Sequence, residues 1–245
     1  MESASRWKTA QRYEQGYWEN VVRQAEVQGP GRLGGYKWRS TELIRMLVEV
    51  GASHLTDGNA RVLEIGSGPV GVISFFSAAE RVAIDPLEDF YSSRPALVAS
   101  RDPAVSYRKG SGEDLPVDAG RYDLVIIENC IDHCRDMHSV MSGIRRALRP
   151  RGYLYLTVNA RSRPGYYMHR LLSRLRIDAG HPHTFTNARL RSFLSDAGFD
   201  VLHLEQGSFL EAWFADLKDP SLKNRGKAIL GVSEYLLSVI ARIRS

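Results

Sequence analysis

Val62-Leu63-Glu64-Ile65-Gly66-Ser67-Gly68-Pro69-Val70-Gly71 is the stretch on which the reading of this chain turns. An apolar run enters a turn with three glycines and leaves it through Val72-Ile73-Ser74-Phe75-Phe76, which predicts a buried strand, a glycine-rich turn and a helix. Glycines at such a turn let the backbone approach a ligand closely. Nineteen residues after Gly66 the next apolar run ends in Asp85, followed by Pro86. A carboxylate at that strand end can accept hydrogen bonds from both hydroxyls of a ribose. Gly66 to Gly71 also fits the GxGxxG dinucleotide fingerprint, so a nicotinamide oxidoreductase is open at this point.

Working outward, short β-rich runs alternate with helical patterns: RVLEIG, VGVISFFSAA, RVAID, LEDFYSSRPALVAS, VSYRKG, YDLVIIEN, an amphipathic run from Met137 to Leu148, and GYLYLTVN. A further helix over Asn187 to Ala197 stops at Gly198, and FDVLHLEQ follows as a sixth strand. Such alternation predicts an α/β fold, a doubly wound and mostly parallel sheet of Rossmann-like type with helices on both faces. The near-continuous apolar strands require that both faces be covered.

Three motifs resemble those of the class I S-adenosylmethionine (SAM)-dependent methyltransferases, and they occur in that family's order over residues 60–207. Glu64 with Gly66-Ser67-Gly68 resembles its E/D-x-G-x-G loop; Gly110-Ser111-Gly112-Glu113-Asp114-Leu115-Pro116 before Tyr122-Asp123-Leu124-Val125-Ile126 resembles its second signature; Ala147-Leu148-Arg149-Pro150-Arg151-Gly152-Tyr153-Leu154 resembles its turn before the fifth strand. The resemblance implies SAM as cofactor. Glu64, Gly66, Ser67 and Gly68 would surround its methionine portion, Asp85 and Pro86 its ribose, and Ser111, Gly112 and Glu113 its adenine, with Asn129 facing cofactor or acceptor. Ser111 stands where the family commonly has Asp. Arg151 replaces a common glycine, which costs little if its φ is negative, and no final antiparallel strand is evident after Gln206.

The implied reaction is methyl transfer to a small-molecule or glycan-type acceptor, at oxygen. A hydroxyl acceptor benefits from a general base, for which His133, His181 and His183 are the candidates. No metal is expected: His181-Pro182-His183 has only Asp178 as a nearby carboxylate. Glu128-Asn129-Cys130-Ile131 lacks the Pro-Pro-aromatic run of base-modifying relatives, which disfavours a nucleic-acid acceptor, RNA included. A catalytically silent partner subunit with this fold is the competing reading.

The 245 residues, 43% hydrophobic and 25% charged, exclude disorder, collagen-like repeats and coiled coil. The organisation expected is an aromatic-rich helical segment or lid over residues 1–50, a SAM-binding core over 51–207 with a helical cap insertion at 160–185, and a helical extension over 208–245. Trp7, Trp18 and Trp38 lie in the first of these; in the last, six of the basic residues leave a net +4 from Lys218 onward. That tail, read as amphipathic helix, suggests contact with a membrane surface or a homodimer partner. No apolar run such as Val70 to Ala79 reaches the roughly 20 residues of a membrane span, and the first residues lack a signal-peptide core, so a cytoplasmic location is expected. Cys130 and Cys134 are read as reduced thiols.

Overall fold

The structure, a computed structural model, describes residues 15–23, 35–174 and 183–244; Trp7, Tyr13, Arg176 and His181 lie outside them. Seven strands form one sheet in the order β3-β2-β1-β4-β5-β7-β6. They are β1 Arg61–Ile65, β2 Glu80–Asp85, β3 Ser106–Lys109, β4 Tyr122–Glu128, β5 Leu148–Arg161, β6 Phe199–Gln206 and β7 Glu234–Ile243. Strands β1 to β5 pair in parallel, and β7 runs antiparallel between β5 and β6.

Alternation along the strands splits the core in two. Leu63, Ile65, Val125, Ile127, Leu154 and Leu156 face the helices α5 (Met137–Ala147) and α7 (Asn187–Asp196), while Val62, Ala83, Leu124, Ile126 and Tyr155 face the other side. Both α5 and α7 start where a side-chain cap is available. Asp136 accepts from the backbone of His138 and Ser139 at 3.0 and 3.2 Å, and Thr186 accepts from Arg189 at 3.3 Å.

The opposite face departs from expectation. No α-helix follows the glycine turn: Val72–Phe75 is a single 3-10 turn. Its β-branched Val72 and Ile73 and aromatic Phe75 and Phe76 are weak helix formers, and four residues offer too little length for a stable nucleus. The layer is supplied instead from the N-terminal segment. Residues 15–23 form α1, and Gly35–Glu49 forms α2, whose Tyr36, Leu43, Met46 and Leu47 recur on one face and bury against Val72, Ile73 and Phe76. The short helices α3 (Glu88–Ser92) and α4 (Pro95–Val98) complete this side with Tyr91 and Leu97.

The expected insertion begins as α6, Arg163–Arg174. The tail is helical only at first, in α8 (Phe209–Lys218) and α9 (Leu222–Ile229). The helical reading of its last part is corrected by β7: the run Leu236 to Ile243 satisfies either period, and its β-branched Val239, Ile240 and Ile243 fill the gap between β5 and β6. Leu237, Val239, Ile240 and Ala241 therefore lie inside the sheet and present nothing to a membrane or partner. The tail's most exposed apolar side chains belong to α8 and α9, with Leu222 and Ile229 83% and 77% exposed. Among the described residues no helix is long and apolar enough to cross a membrane.

Candidate functional site

The ends of β1, β2 and β4 meet beneath α1 and α2. Glu64 falls on the α2 face with Val62, and Glu128 falls on it with Leu124 and Ile126 of the neighbouring strand. Glu64 accepts the backbone N–H of Ile73 at 2.9 Å and of Val72 at 3.2 Å, so it caps the 3-10 turn. Burial nonetheless pushes its carboxyl up to about 8, against the pull of those two bonds. Glu128 is paired with Arg39 of α2 at 3.0 Å. Burial pushes its carboxyl up to about 7, with Arg39 acting in the opposite direction.

Gly71 and Gly68 show why the turn needs glycine. Both have positive φ, +77° and +61°, and a β-carbon would lie 2.5 Å from the Glu64 carboxylate at Gly71 and 2.9 Å from the Tyr36 hydroxyl at Gly68. The Trp18 ring stands 3.6 Å from that same point at Gly68. Two aromatic side chains of the N-terminal helices thus close over the loop. Burial, with the nearby carboxylates adding to it, drives the Tyr36 phenol well above its ordinary range. Trp18 meets Tyr91 edge-on at 6.2 Å, whereas Trp38 remains 63% exposed.

Asp85 is buried at the end of β2. It accepts from the backbone of Gly68 at 2.9 Å and of Leu87 at 2.8 Å, and burial pushes its carboxyl up to about 6. Two bonds leave lone pairs on both oxygens for a ribose. Pro86 follows, half-buried. Arg101 moors the loop from outside. Its guanidinium makes a two-pronged bond to Glu88 at 2.8 Å per prong, donates to the Pro69 carbonyl at 2.6 Å and lies 3.9 Å from the Tyr107 ring centroid.

The other anticipated residues are distributed as follows. The Ser67 hydroxyl bonds to the Gly68 carbonyl, and Gly112 packs beneath Ile65 and Val140. Ser111 bridges to Asp114, while Glu113 accepts the backbone N–H of Arg135 at 2.7 Å and so ties the loop after β3 to the start of α5. Asn129 holds a left-handed backbone, φ +50°, which asparagine tolerates better than most residues. His133 lies 3.8 Å from Asp132, and the His183 ring is 3.0 Å from the Cys134 carbonyl. His181 is outside the described residues. Cys130 and Cys134 are not in a disulfide. The start of β5 corrects another expectation: Arg151, within its first residues, adopts φ +63°.

Arg39 and Glu128 are the site residues that sequence reading missed. Glu128 was visible as the acid closing a buried strand, but its partner comes from a helix whose placement is decided only by tertiary packing. Among the described residues, one set of possible metal ligands clusters, Glu49, His203 and Glu205. Arg45 already sits in that set, 2.6 Å from each of the two carboxylates.

The geometry argues against a dinucleotide. A pyrophosphate needs free N–H groups at a helix start, and here no helix begins and a carboxylate already takes the N–H groups of Val72 and Ile73. The donor set fits SAM instead: the Glu64, Glu128 and Asp85 carboxyls and a single guanidinium, that of Arg39, act on Tyr36 where it covers the glycine turn, an excess of acids that suits a positively charged sulfonium better than an anionic ligand.

Comparison with known proteins agrees. The methyltransferase domain family matches residues 37–204. The non-reducing polyketide synthase ausA of Emericella nidulans is 30% identical over 132 residues, 49% of this chain and only 5% of that much longer protein. Among solved structures, a Bacillus halodurans protein described as a methyltransferase superposes with TM-score 0.59 at 19% identity, covering 81% of this chain and 99% of its own. The geranyl diphosphate C-methyltransferase of Streptomyces coelicolor, solved with S-adenosylhomocysteine, gives TM-score 0.55 at 15% identity over 85% of this chain and 84% of its own. The chain belongs to the methyltransferase domain family and shares the fold of these solved structures.

Proposed function

We propose that this methyltransferase methylates a hydroxyl oxygen of a small-molecule or glycan-type acceptor, with Glu128 as the general base. The observation that carries the reading is the place of Glu128. Its carboxylate lines a cavity of about 200 Å³ together with Trp38, Arg39, Tyr155, Leu236 and Ser238, and it stands at the end of the strand beside the glycine turn. Three carboxylates line it, but Glu42 and Glu205 are both tied to Arg45, which leaves Glu128 with Arg39 as the acid set against Tyr155 and Leu236, an arrangement that suits a neutral organic acceptor that must lose a proton. A base is most effective when its pKa lies near the working pH, and burial has brought Glu128 to about 7.

Bound SAM supplies the activated methyl group. The chain's own task is then to align the reactants and exclude water. In this reading Asp85 holds the ribose, the backbone from Gly66 to Gly68 turns around the methionine portion, Ser111, Gly112 and Glu113 border the adenine, and Trp18 and Tyr36 shield the loop. His133 and His183, each engaged with a neighbouring group, do not line the Glu128 cavity and in this reading do not take the proton. The likeness of this region to part of a polyketide synthase supports a small organic acceptor.

The test is incubation with methyl-labelled SAM and a small-metabolite extract, with mass spectrometry of the labelled products. Glu128→Gln should lower incorporation by about 10²-fold or more while SAM still binds. Undiminished labelling by that variant would take Glu128 out of the reaction.

A further inference from the structure

On the side of the sheet away from α2, a second cleft of about 670 Å³ lies between α6 and the first turns of α5 and α7. None of the residues assigned to the cofactor lines it. Its walls include the aromatic rings of Tyr166, Phe185 and Phe193, and its polar lining is dominated by Arg170, Arg189 and three histidines.

The two arginines converge on one ring. The guanidinium carbon of Arg189 is 5.0 Å from the centroid of buried Tyr166, that of Arg170 is 5.8 Å from it, and Arg170 also donates to the Tyr166 hydroxyl at 3.4 Å. Among the described residues neither guanidinium has a carboxylate partner, in contrast to Arg39, Arg45, Arg101 and Arg161. An aromatic face offsets about 0.5–1 kcal/mol per exposed cation, which does little more than balance two like charges held near each other. Asp196, the acid that lines the cleft, sits seven residues beyond Arg189 on α7, about 10 Å along the helix axis. Among the described residues, one end of the cleft is therefore cationic, with no carboxylate paired to either guanidinium. The hydroxyl of Ser192 and the rings of His138 and His183 line the same cleft.

We propose that this cleft binds a phosphate group carried on a small organic molecule, with Arg170 and Arg189 as the two forks that grip it and the rings of Phe185 and Phe193 receiving the apolar body. Guanidinium forks match phosphate oxygens two at a time, and a doubly charged anion answers two cations better than a carboxylate does. The site stands apart from the methyl-transfer reading and does not depend on Glu128 being the base.

The probes are phenyl phosphate and inorganic pyrophosphate, titrated by calorimetry into the full chain saturated with S-adenosylhomocysteine. Saturable binding is expected, phenyl phosphate the tighter of the two. Arg170→Ala and Arg189→Ala should each weaken it about tenfold or more, with SAM affinity unchanged, and the corresponding lysine variants should keep part of it. No saturation by either probe up to about 10 mM, or equal binding by the doubly substituted Arg170→Ala/Arg189→Ala protein, would overturn the assignment. Competition between phenyl phosphate and S-adenosylhomocysteine would overturn it as well, by placing the probe in the cofactor site. The phosphate can come from the acceptor or from a separate effector. Labelled methyl appearing on the phosphorylated compound identifies the first; a changed methylation rate without label on it identifies the second.

Discussion

Arg39 of α2 stands 3.0 Å from Glu128 at the end of β4, an ion pair that links an N-terminal helix to the centre of the sheet. Because Arg39 pulls the Glu128 carboxyl down against the effect of burial, its loss has a definite sign. In the proposed reaction kcat/KM rises with pH through about 7, as Glu128 ionises. Arg39→Ala should move that limb to higher pH, and Arg39→Lys should move most of it back. A limb that stays in place in Arg39→Ala would dissociate the pair from the proton transfer.

Asp85→Ala tests the ribose assignment. Loss of a charged hydrogen-bonding partner costs about 1.5–3 kcal/mol, a ten- to hundred-fold weaker Kd for both SAM and S-adenosylhomocysteine. The two ligands share the sugar, so calorimetry should show both weakened to a similar degree. A loss confined to SAM would point to the sulfonium instead.

Glu64, Glu128 and Asp85 are held at about 8, 7 and 6, each above the ordinary carboxylate value. The folded protein therefore keeps protons that an unfolded chain has already released. Their contribution to stability is fullest below about pH 4, where the unfolded chain is protonated too, and is lost progressively as pH rises from there to about 8. Asp102, Asp136 and Glu205, which are shifted downward, titrate below that window. The ligand-free protein should unfold at a lower temperature at pH 9 than at pH 6, and Glu128→Gln should flatten part of the slope. A melting temperature that climbs over this range contradicts the burial of these acids.

Arg151→Gly should stabilise the protein. A left-handed backbone costs an L-residue roughly 1–2 kcal/mol, and glycine returns about 0.5–1 kcal/mol of that as chain entropy, leaving a gain of about 0.5–1 kcal/mol. Urea unfolding should show a higher midpoint at unchanged slope.

Much of this molecule can be read from its residues, and the exceptions share a cause. The strands β1, β2, β4, β5 and β6 announce themselves by apolar runs between turn residues, and Asp85 by its place at a strand end. The segment Val72 to Phe76 misleads because its apolar side chains are buried under α2, so burial without helix produces the same pattern as a helix. Leu236 to Ile243 misleads in the same direction: a run broken only by Ser238 and Arg242 fits either period, and only the vacant lane between β5 and β6 decides it. Arg39 could not be found locally, since nothing in Gly35–Glu49 says which strand end that helix will cross.

The borrowed layer over β1 and β4 has a consequence for how this enzyme can be cut or grafted. Residues 35–49 complete the hydrophobic interior and also contribute Tyr36 and Arg39 to the proposed reaction centre, so a fragment trimmed to the motif-bearing region would lose its wall and its cation together. Folding and chemistry are here entrusted to a single stretch of chain, and neither can be tuned by mutation at the one without being felt at the other.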